Sequence, residues 1–360
     1  MNLAVIAGYY GFGNAGDEMI LRVLLDQLRI ALPDHEWTVL SNRPEETSLK
    51  LGVSSVDRWG LLAIASLFRR ARLLVLGGGE LFQSQTSLFS LFYYLGLFLL
   101  AKLFRCRTCL LAVGTSRFER GWEARIVRSI LRSADFIWVR DEESYRFFAH
   151  SIPTDKIKQI PDPVWLWPVP SVKKNRSSVS ADRRICWILR PIHRREMSSA
   201  PLPDFLNRLF ERNPEWSFGF LPMHPALDMP FLSALFQRLN GLHRLEKWGE
   251  ERQIPEILAS YDLVVSMRYH GLLLSGLVST PFIGLYAHDK ARRFCESVGA
   301  PAIAYRELSE DARGSADRFT GLDPFDLLPV RKLTESNHSS FNAERERFSS
   351  VLGEKRGVLS

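Results

Sequence analysis

This sequence has no stretch apolar for long enough to cross a bilayer. Its longest apolar run, Leu88 to Ala101 (LFSLFYYLGLFLLA), falls short of the roughly 20 residues a membrane-spanning helix needs, and Lys102, Arg105 and Arg107 close it. It reads as a buried helix whose aromatic and basic flank would also suit lying against a membrane surface. A basic leader is missing too: MNLAVIAGYY enters a strand at once, which points to a cytoplasmic protein, with the inner face of the plasma membrane as a peripheral site. Cysteine is scarce. Cys106 and Cys109 form a CxxC, but they lead into the strand TCLLAVG rather than opening a helix as a redox pair would, and no second CxxC supplies metal ligands. With Cys186 and Cys295 they are expected to be buried structural thiols of a reducing compartment. No cluster of acids has metal-ligand spacing, so no metal or other cofactor is expected. No zinc-finger, helix-turn-helix or RNA-binding signature occurs, and the arginines are scattered. The net charge of +7 therefore points to an anionic ligand or an anionic surface and not to nucleic acid.

What is present is a chain of 360 residues, too long for one ordinary core and suited to two domains, with the 46% apolar and 24% charged content of a soluble globular protein. Leu3 to Ala7 reads as a strand, the segment from Gly8 as a loop feeding an amphipathic helix that buries Ile20, Leu21, Leu24, Leu25 and Leu28, and Trp37 to Leu40 as a second strand. Gly11, Gly13 and Gly16 satisfy GxGxxG between strand and helix, which raises a dinucleotide fold. The second strand, however, ends in Ser41, Asn42 and Arg43, where an NAD site needs an acid for the ribose. What remains is a glycine loop whose N–H groups can approach an anion or a sugar, with Asn14 and Asp17 as hydrogen-bonding side chains; Asp17 as a plain helix cap is compatible with this.

Arg72 to Leu76 reads as a third strand, ending in Gly77, Gly78 and Gly79, after which Gln83, Gln85 and Thr86 suit sugar hydroxyls. Leu110 to Val113 ends in Gly114-Thr115-Ser116, and Phe136 to Val139 runs into Arg140-Asp141-Glu142-Glu143-Ser144. Ile160-Pro161-Asp162-Pro163 closes a first Rossmann-like domain, residues 1–168, and residues 169–184, rich in Pro, Ser, Lys and Arg, read as a linker.

A second Rossmann-like domain, residues 185–308, repeats the alternation. Ile185 to Leu189 ends in Arg190, Phe218 to Leu221 leads to His224, and Leu263 to Val265 leads to Arg268 and His270 before the apolar helix Leu272 to Val278; Phe282 to Tyr286 is the next strand. In a parallel sheet all of these residues share the carboxyl edge, where α/β proteins bind ligands, and the first domain's glycine loops are expected across a cleft from them. A guanidinium and an imidazole two residues apart at a helix N-terminus ask for a small, strongly anionic ligand. The plainer reading pairs Arg268 with a carboxylate and makes His270 a helix cap. Residues 309–360 turn polar, with a terminal helix from Asn342 to Leu352 docking on the first domain.

GYYGFGNAGDE, LGGGELFQSQTSLFSLFYYLG, VRDEES, IPDP, LRP, and SMRYHGLLLSGLVSTP followed by HDK, in that order, resemble the polysaccharide pyruvyl transferase family, in particular its bacterial cell-wall branch. The resemblance implies an α/β fold of two Rossmann-like domains similar to GT-B glycosyltransferases. It also implies transfer of a pyruvyl group from phosphoenolpyruvate onto two hydroxyls of one sugar as a cyclic ketal, with phosphoenolpyruvate as co-substrate. By motif, Arg190, Arg268 and His270 form the donor site and are catalytic, and Tyr269, between the last two, is expected to bind the donor with them. Gly11, Gly13, Asn14, Gly16, Asp17, Gly78, Gly79 and Gln83 face the acceptor, expected to be a lipid-linked oligosaccharide. The family commonly has Leu and Ala where this chain has Tyr269 and Gly271, and often Asp where Ser84 stands. The chemistry agrees: guanidinium forks suit a carboxylate beside a phosphate, and protonating the enol carbon requires a group titrating near neutrality, a role for His270. A nucleotide-sugar glycosyltransferase of the same architecture is the alternative enzyme, and a membrane-surface or sugar-binding module the non-enzyme alternative.

Overall fold

Strand and helix alternate through both halves of the chain, and the structure, a computed structural model, gathers the strands of each half into one wholly parallel sheet. It describes residues 2–84, 87–115, 118–169, 183–192, 201–287, 289–310, 319 and 328–353. Gln85, Thr86, Ser116, His288 and most of the expected linker lie outside these. Two compact units result, one of Met1–Trp167 with Asn337–Ser360, the other of Pro168–Ser336. The architecture is α/β with two parallel-sheet domains.

In the first unit the strands are β1 (Asn2–Ala7), β2 (His35–Ser41), β3 (Ser54–Asp57), β4 (Ala71–Gly77), β5 (Arg107–Val113), β6 (Phe136–Val139) and β7 (Ile157–Gln159). Their order across the sheet is β3-β2-β1-β4-β5-β6-β7. Buried apolar side chains on both faces of β1, β4 and β5 are what a parallel sheet covered by helices requires. The helices α3 (Leu61–Arg70), α4 (Leu88–Leu103), α5 (Gly121–Leu131) and α6 (Glu142–Ala149) enclose one continuous core around Phe68, Phe98, Leu110, Ile137 and Phe148. The other face carries α1 (Ala15–Ala31), while α2 (Pro44–Leu51) links β2 to β3.

The second unit holds β8 (Arg184–Ile188), β9 (Ser217–Phe220), β10 (His243–Leu245), β11 (Leu263–Ser266), β12 (Phe282–Tyr286) and β13 (Ala302–Ala304), in the order β10-β9-β8-β11-β12-β13. Its helices are α7 (Pro201–Arg212), α8 (Pro225–Phe236), α9 (Ile254–Ala259), α10 (Tyr269–Leu277), α11 (Asp289–Val298) and the short α12 (Glu307–Glu310).

Three details differ from the sequence reading. The strand from Ala71 is the fourth and not the third, because the polar SSVD of β3 forms a strand. The helix α10 starts at Tyr269, so His270 sits inside its first turn. The terminal helix α13 runs from Leu328 to Gly353, well before the expected Asn342. Its later part belongs to the first unit, where Lys158 bonds Glu344 at 2.6 Å, Arg345 donates to Gln27 at 2.8 Å, and Phe341 lines a pocket with Leu28, Leu111 and Trp138. All four cysteines are buried and unpaired as disulfides. Burial pushes every one of these thiols up, Cys295 to about 12, so none is a ready nucleophile.

Candidate active site

In each sheet the strand order reverses once, between β1 and β4 in the first unit and between β8 and β11 in the second. Such reversals leave a crevice at the carboxyl ends, because the flanking helices depart to opposite faces. The motif residues converge on these two places.

In the second unit Ile188 pairs with Ser266, and Met267 N donates to Ile188 O at 2.8 Å, so the exits of β8 and β11 run side by side. Arg190 and Arg268 each lie two residues beyond that pair. The Ser266 hydroxyl accepts from Arg268 N at 3.0 Å and reaches Arg268 O at 2.9 Å, closing the turn into α10 with Arg268 at the N-cap. Gly271 permits the helix to start this close: a Cβ there would stand 2.4 Å from Ser266 Oγ and 2.7 Å from Ile188 Cδ1. Tyr269 and His270 thereby occupy the first turn, at the positive end of the helix dipole.

Arg268 does pair with a carboxylate. Its Nη2 bonds Asp228, which is fully sequestered from water in α8 and whose other oxygen accepts the His224 backbone N–H at 2.8 Å. The plainer reading is thus right for one arm of the guanidinium, while Arg268 Nε is buried without a hydrogen-bond partner. His270 is not the cap, since Arg268 holds that position. At the end of β9, burial and then the Arg268 charge lower the His224 imidazole from its ordinary range, against the Asp228 charge. This keeps His224 neutral beside the arginine. Tyr269 is clasped by His270 and Phe294, at centroid distances of 5.2 and 5.3 Å, with Lys290 Nζ 4.6 Å from its ring.

Four adjacent strands therefore contribute Arg190, His224, Arg268 with His270, and Lys290, with Asp228 as the acid bonded among them. Such a set has the charge and donors to hold a compact polyanion and carries an imidazole that can transfer a proton. Asp228 and Lys290 escaped the sequence reading. Asp228 is 40 residues from Arg268, and only the β9-β8-β11 adjacency joins them; Lys290 lay in the HDK motif without a stated role.

In the first unit the glycine loop after β1 meets the glycines after β4. Gly11 and Gly13 adopt positive φ, 76° and 74°, as do Gly78 and Gly79, and Tyr10 OH bonds Gly77 O at 2.5 Å. Asn14 donates to Asp17, and a Cβ on Gly79 would lie 3.0 Å from Asp17 Oδ1. Asn14, Gly16, Asp17, Gly78 and Gly79 are thus brought together, with half-buried Gln83 four residues beyond Gly79. One expectation changes. Glu18 Oε1 accepts from Gly11 N at 2.9 Å and Gly13 N at 3.2 Å, so the loop carries its own carboxylate where an anion would have been cradled. Gly11 also packs on Ser41 and Arg43, filling the position where a ribose would need an acid.

The remaining motifs tie together by charge. Buried Arg140 of VRDEES reaches Asp162 of IPDP at 3.3 Å and Glu80 of GGGE at 3.4 Å. A bulge at Ala112, φ 55°, steers β5 so that Gly114 N bonds Gly79 O at 2.8 Å and Thr115 bridges Phe82. Ser84 donates to buried Glu123 at 2.5 Å, and an Asp at 84 would set two carboxylates against each other. Arg58, past the exit of β3, was missed altogether. It is 2% exposed, donates to Gly8 O at 3.1 Å, and has the rings of Phe12, Trp59, Tyr93 and Tyr94 within 5.6 Å.

Two domains built on parallel sheets are the GT-B fold, and solved structures share it across nearly the whole chain. Anabaena Alr3699/HepE in complex with UDP-glucose is 12% identical, covering 94% of this chain and 99% of its own at a TM-score of 0.55. The UDP-GlcNAc 2-epimerase from Methanocaldococcus jannaschii is 15% identical, covering 98% and 99% at 0.62, and S. aureus MnaA bound to UDP is 11% identical, covering 96% and 97% at 0.56. No curated protein matches the sequence. The chain belongs to the polysaccharide pyruvyl transferase family, whose profile matches residues 14–289.

Proposed function

We propose that the protein transfers a pyruvyl group from phosphoenolpyruvate to two hydroxyls of one sugar in a lipid-linked cell-wall or surface oligosaccharide, at the inner membrane face. The observation that supports the donor assignment is the pairing of Ile188 with Ser266, which brings the exits of β8 and β11 together two residues before Arg190 and Arg268 at the second sheet's switch point. Arg190 and Arg268 bind the carboxylate and phosphate, Tyr269 lines the donor, and His270 donates the proton. One sugar hydroxyl adds to C2 as the His270 proton goes to C3, turning the methylene into a methyl, and the hydroxyl's own proton passes back to His270. The C2–phosphate bond then breaks and inorganic phosphate leaves. The second hydroxyl closes on C2, losing its proton, so one phosphate is released per ketal. The reaction calls on no metal or further cofactor.

The acceptor is assigned to Gly11, Gly13, Asn14, Gly16, Asp17, Gly78, Gly79 and Gln83. The carboxylates at this loop favour a neutral sugar over an anion, since they accept hydrogen bonds from hydroxyls.

Thermal melting with phosphoenolpyruvate tests the donor. At about 100 times the dissociation constant a ligand adds roughly 2.7 kcal/mol. Wild type is expected to shift, and Arg268→Lys, which keeps a charge for Asp228 but loses the fork, to shift less. In a phosphate-release assay, His270→Ala should lower turnover about 100-fold or more with melting unchanged. The second reading, a nucleotide-sugar glycosyltransferase, draws on fold relatives solved with UDP-glucose and UDP. A melting shift with UDP-glucose and none with phosphoenolpyruvate would decide for it.

A further inference from the structure

A helix on the surface of a globular protein turns its polar side to water, and α4 has almost no polar side to turn. Its inner positions, among them Leu91, Tyr94, Leu95 and Phe98, pack into the first unit's core. Its outer stripe, at spacings of three and four residues, is Phe89, Phe92, Gly96, Leu99 and Leu103, all open to solvent, Phe89 by 68% and Leu103 by 75%. Ring contacts extend the stripe sideways: Trp59 stacks on Phe89 at 5.7 Å, and Trp122, at the start of α5, stacks on Phe92 at 6.4 Å. Both tryptophans are at least 40% exposed, and Leu61 and Leu62 continue the apolar surface at the start of α3. A contiguous apolar face of this kind marks a contact surface.

Charge decides what it contacts. The helices α3, α4 and α5 carry Arg69, Arg70, Arg125 and Arg128, besides Lys102, which pairs with Asp135 at 3.0 Å, and their one acid, Glu123, is 2% exposed and bonded to Ser84. The 16 residues of α4 span only about 24 Å, and no described helix is long and apolar enough to cross a membrane. An apolar stripe with tryptophans at its margins and an excess of basic side chains matches a helix lying in a bilayer interface over anionic headgroups. We propose that the α3-α4-α5 face docks on an anionic lipid surface, with Phe89, Phe92, Leu99 and Leu103 entering the acyl boundary. This rests on the surface alone and stands or falls apart from the donor assignment.

The test is co-sedimentation of the full chain with vesicles of phosphatidylcholine containing 30% phosphatidylglycerol, and with phosphatidylcholine alone. Wild type should bind the anionic vesicles at least tenfold more tightly than the neutral ones, and less so as salt rises. Phe89→Ser/Phe92→Ser/Leu99→Ser alters only exposed side chains, so its melting temperature should match wild type while vesicle binding falls at least tenfold. Arg69→Gln/Arg70→Gln should weaken binding to anionic vesicles only. Absent binding at low salt, equal binding to both vesicles, or unchanged binding by the triple variant would each overturn the proposal. So would a concentration-dependent dimer in light scattering that the triple variant abolishes without vesicle binding in wild type, for then a second copy covers this face.

Discussion

Arg268 stands between a buried acid and the candidate donor site, and the acid sets what its loss would do. Arg268→Ala leaves Asp228 charged and sequestered with only the His224 N–H for company. Breaking such a pair costs about 3 kcal/mol or more, whereas neutralising both partners costs far less. Urea unfolding should find Arg268→Ala/Asp228→Asn more stable than Arg268→Ala; equal stabilities would show that the stranded carboxylate is not the cause. His224 gives a pH signature. Its folded pKa lies below the ordinary 6.5, so the unfolded chain takes up the proton first and stability falls as pH drops through about 6.5 toward the lowered folded value. Replacing His224 with Asn should flatten the melting-temperature profile between pH 7 and 5, and a profile identical to wild type would count against a strained neutral imidazole. The sequence carried Arg190, Arg268 and His270 openly because polar residues interrupt apolar strand ends. It could not carry Asp228, Glu18 or Arg58, whose roles depend on which strands become neighbours.

The strands themselves show where sequence pattern stops. Nine were legible as apolar runs with a polar stop, from β1 to β12. The four that were not are β3, β7, β10 and β13, and these are the four outer strands of the two sheets. An edge strand is covered incompletely and runs short, so SSVD, IKQ, HRL and AIA lack the continuous apolar signal that burial on two faces demands. The candidate donor element α10 depends on a different local feature, the close approach at Gly271. Gly271→Ala should cost about 1–3 kcal/mol from overpacking against Ser266 and Ile188. Because the helix start must shift to relieve it, turnover should fall by more than the stability loss at assay temperature explains. Crystallography or chemical shifts of the Tyr269 and His270 amides would register the displacement, and unmoved amides would place the effect elsewhere.

For the whole molecule, two sheets of doubly wound order were readable in outline, since alternation of strand and helix allows few other arrangements. The extent of α13 was not, because a long helix of low apolar content resembles a solvated tail until the surface it covers is known. Phe341, 5% exposed, lies in that surface with Leu28, Leu111 and Trp138, and His338 bonds the Trp165 carbonyl at 2.6 Å. Phe341→Ala should destabilise the first unit by about 3 kcal/mol in urea unfolding while leaving melting shifts with phosphoenolpyruvate in place. Loss of the ligand shift together with stability would mean that this helix bears on the donor side as well.

That helix also fixes an order of events during synthesis. The second unit is drawn from one uninterrupted stretch, Pro168–Ser336, and can close as soon as that stretch has left the ribosome. The first unit, begun before the second, waits for residues after 336 before its outer layer over Leu111 and Trp138 is complete. Of the two units, the one whose synthesis starts first is therefore the one finished last.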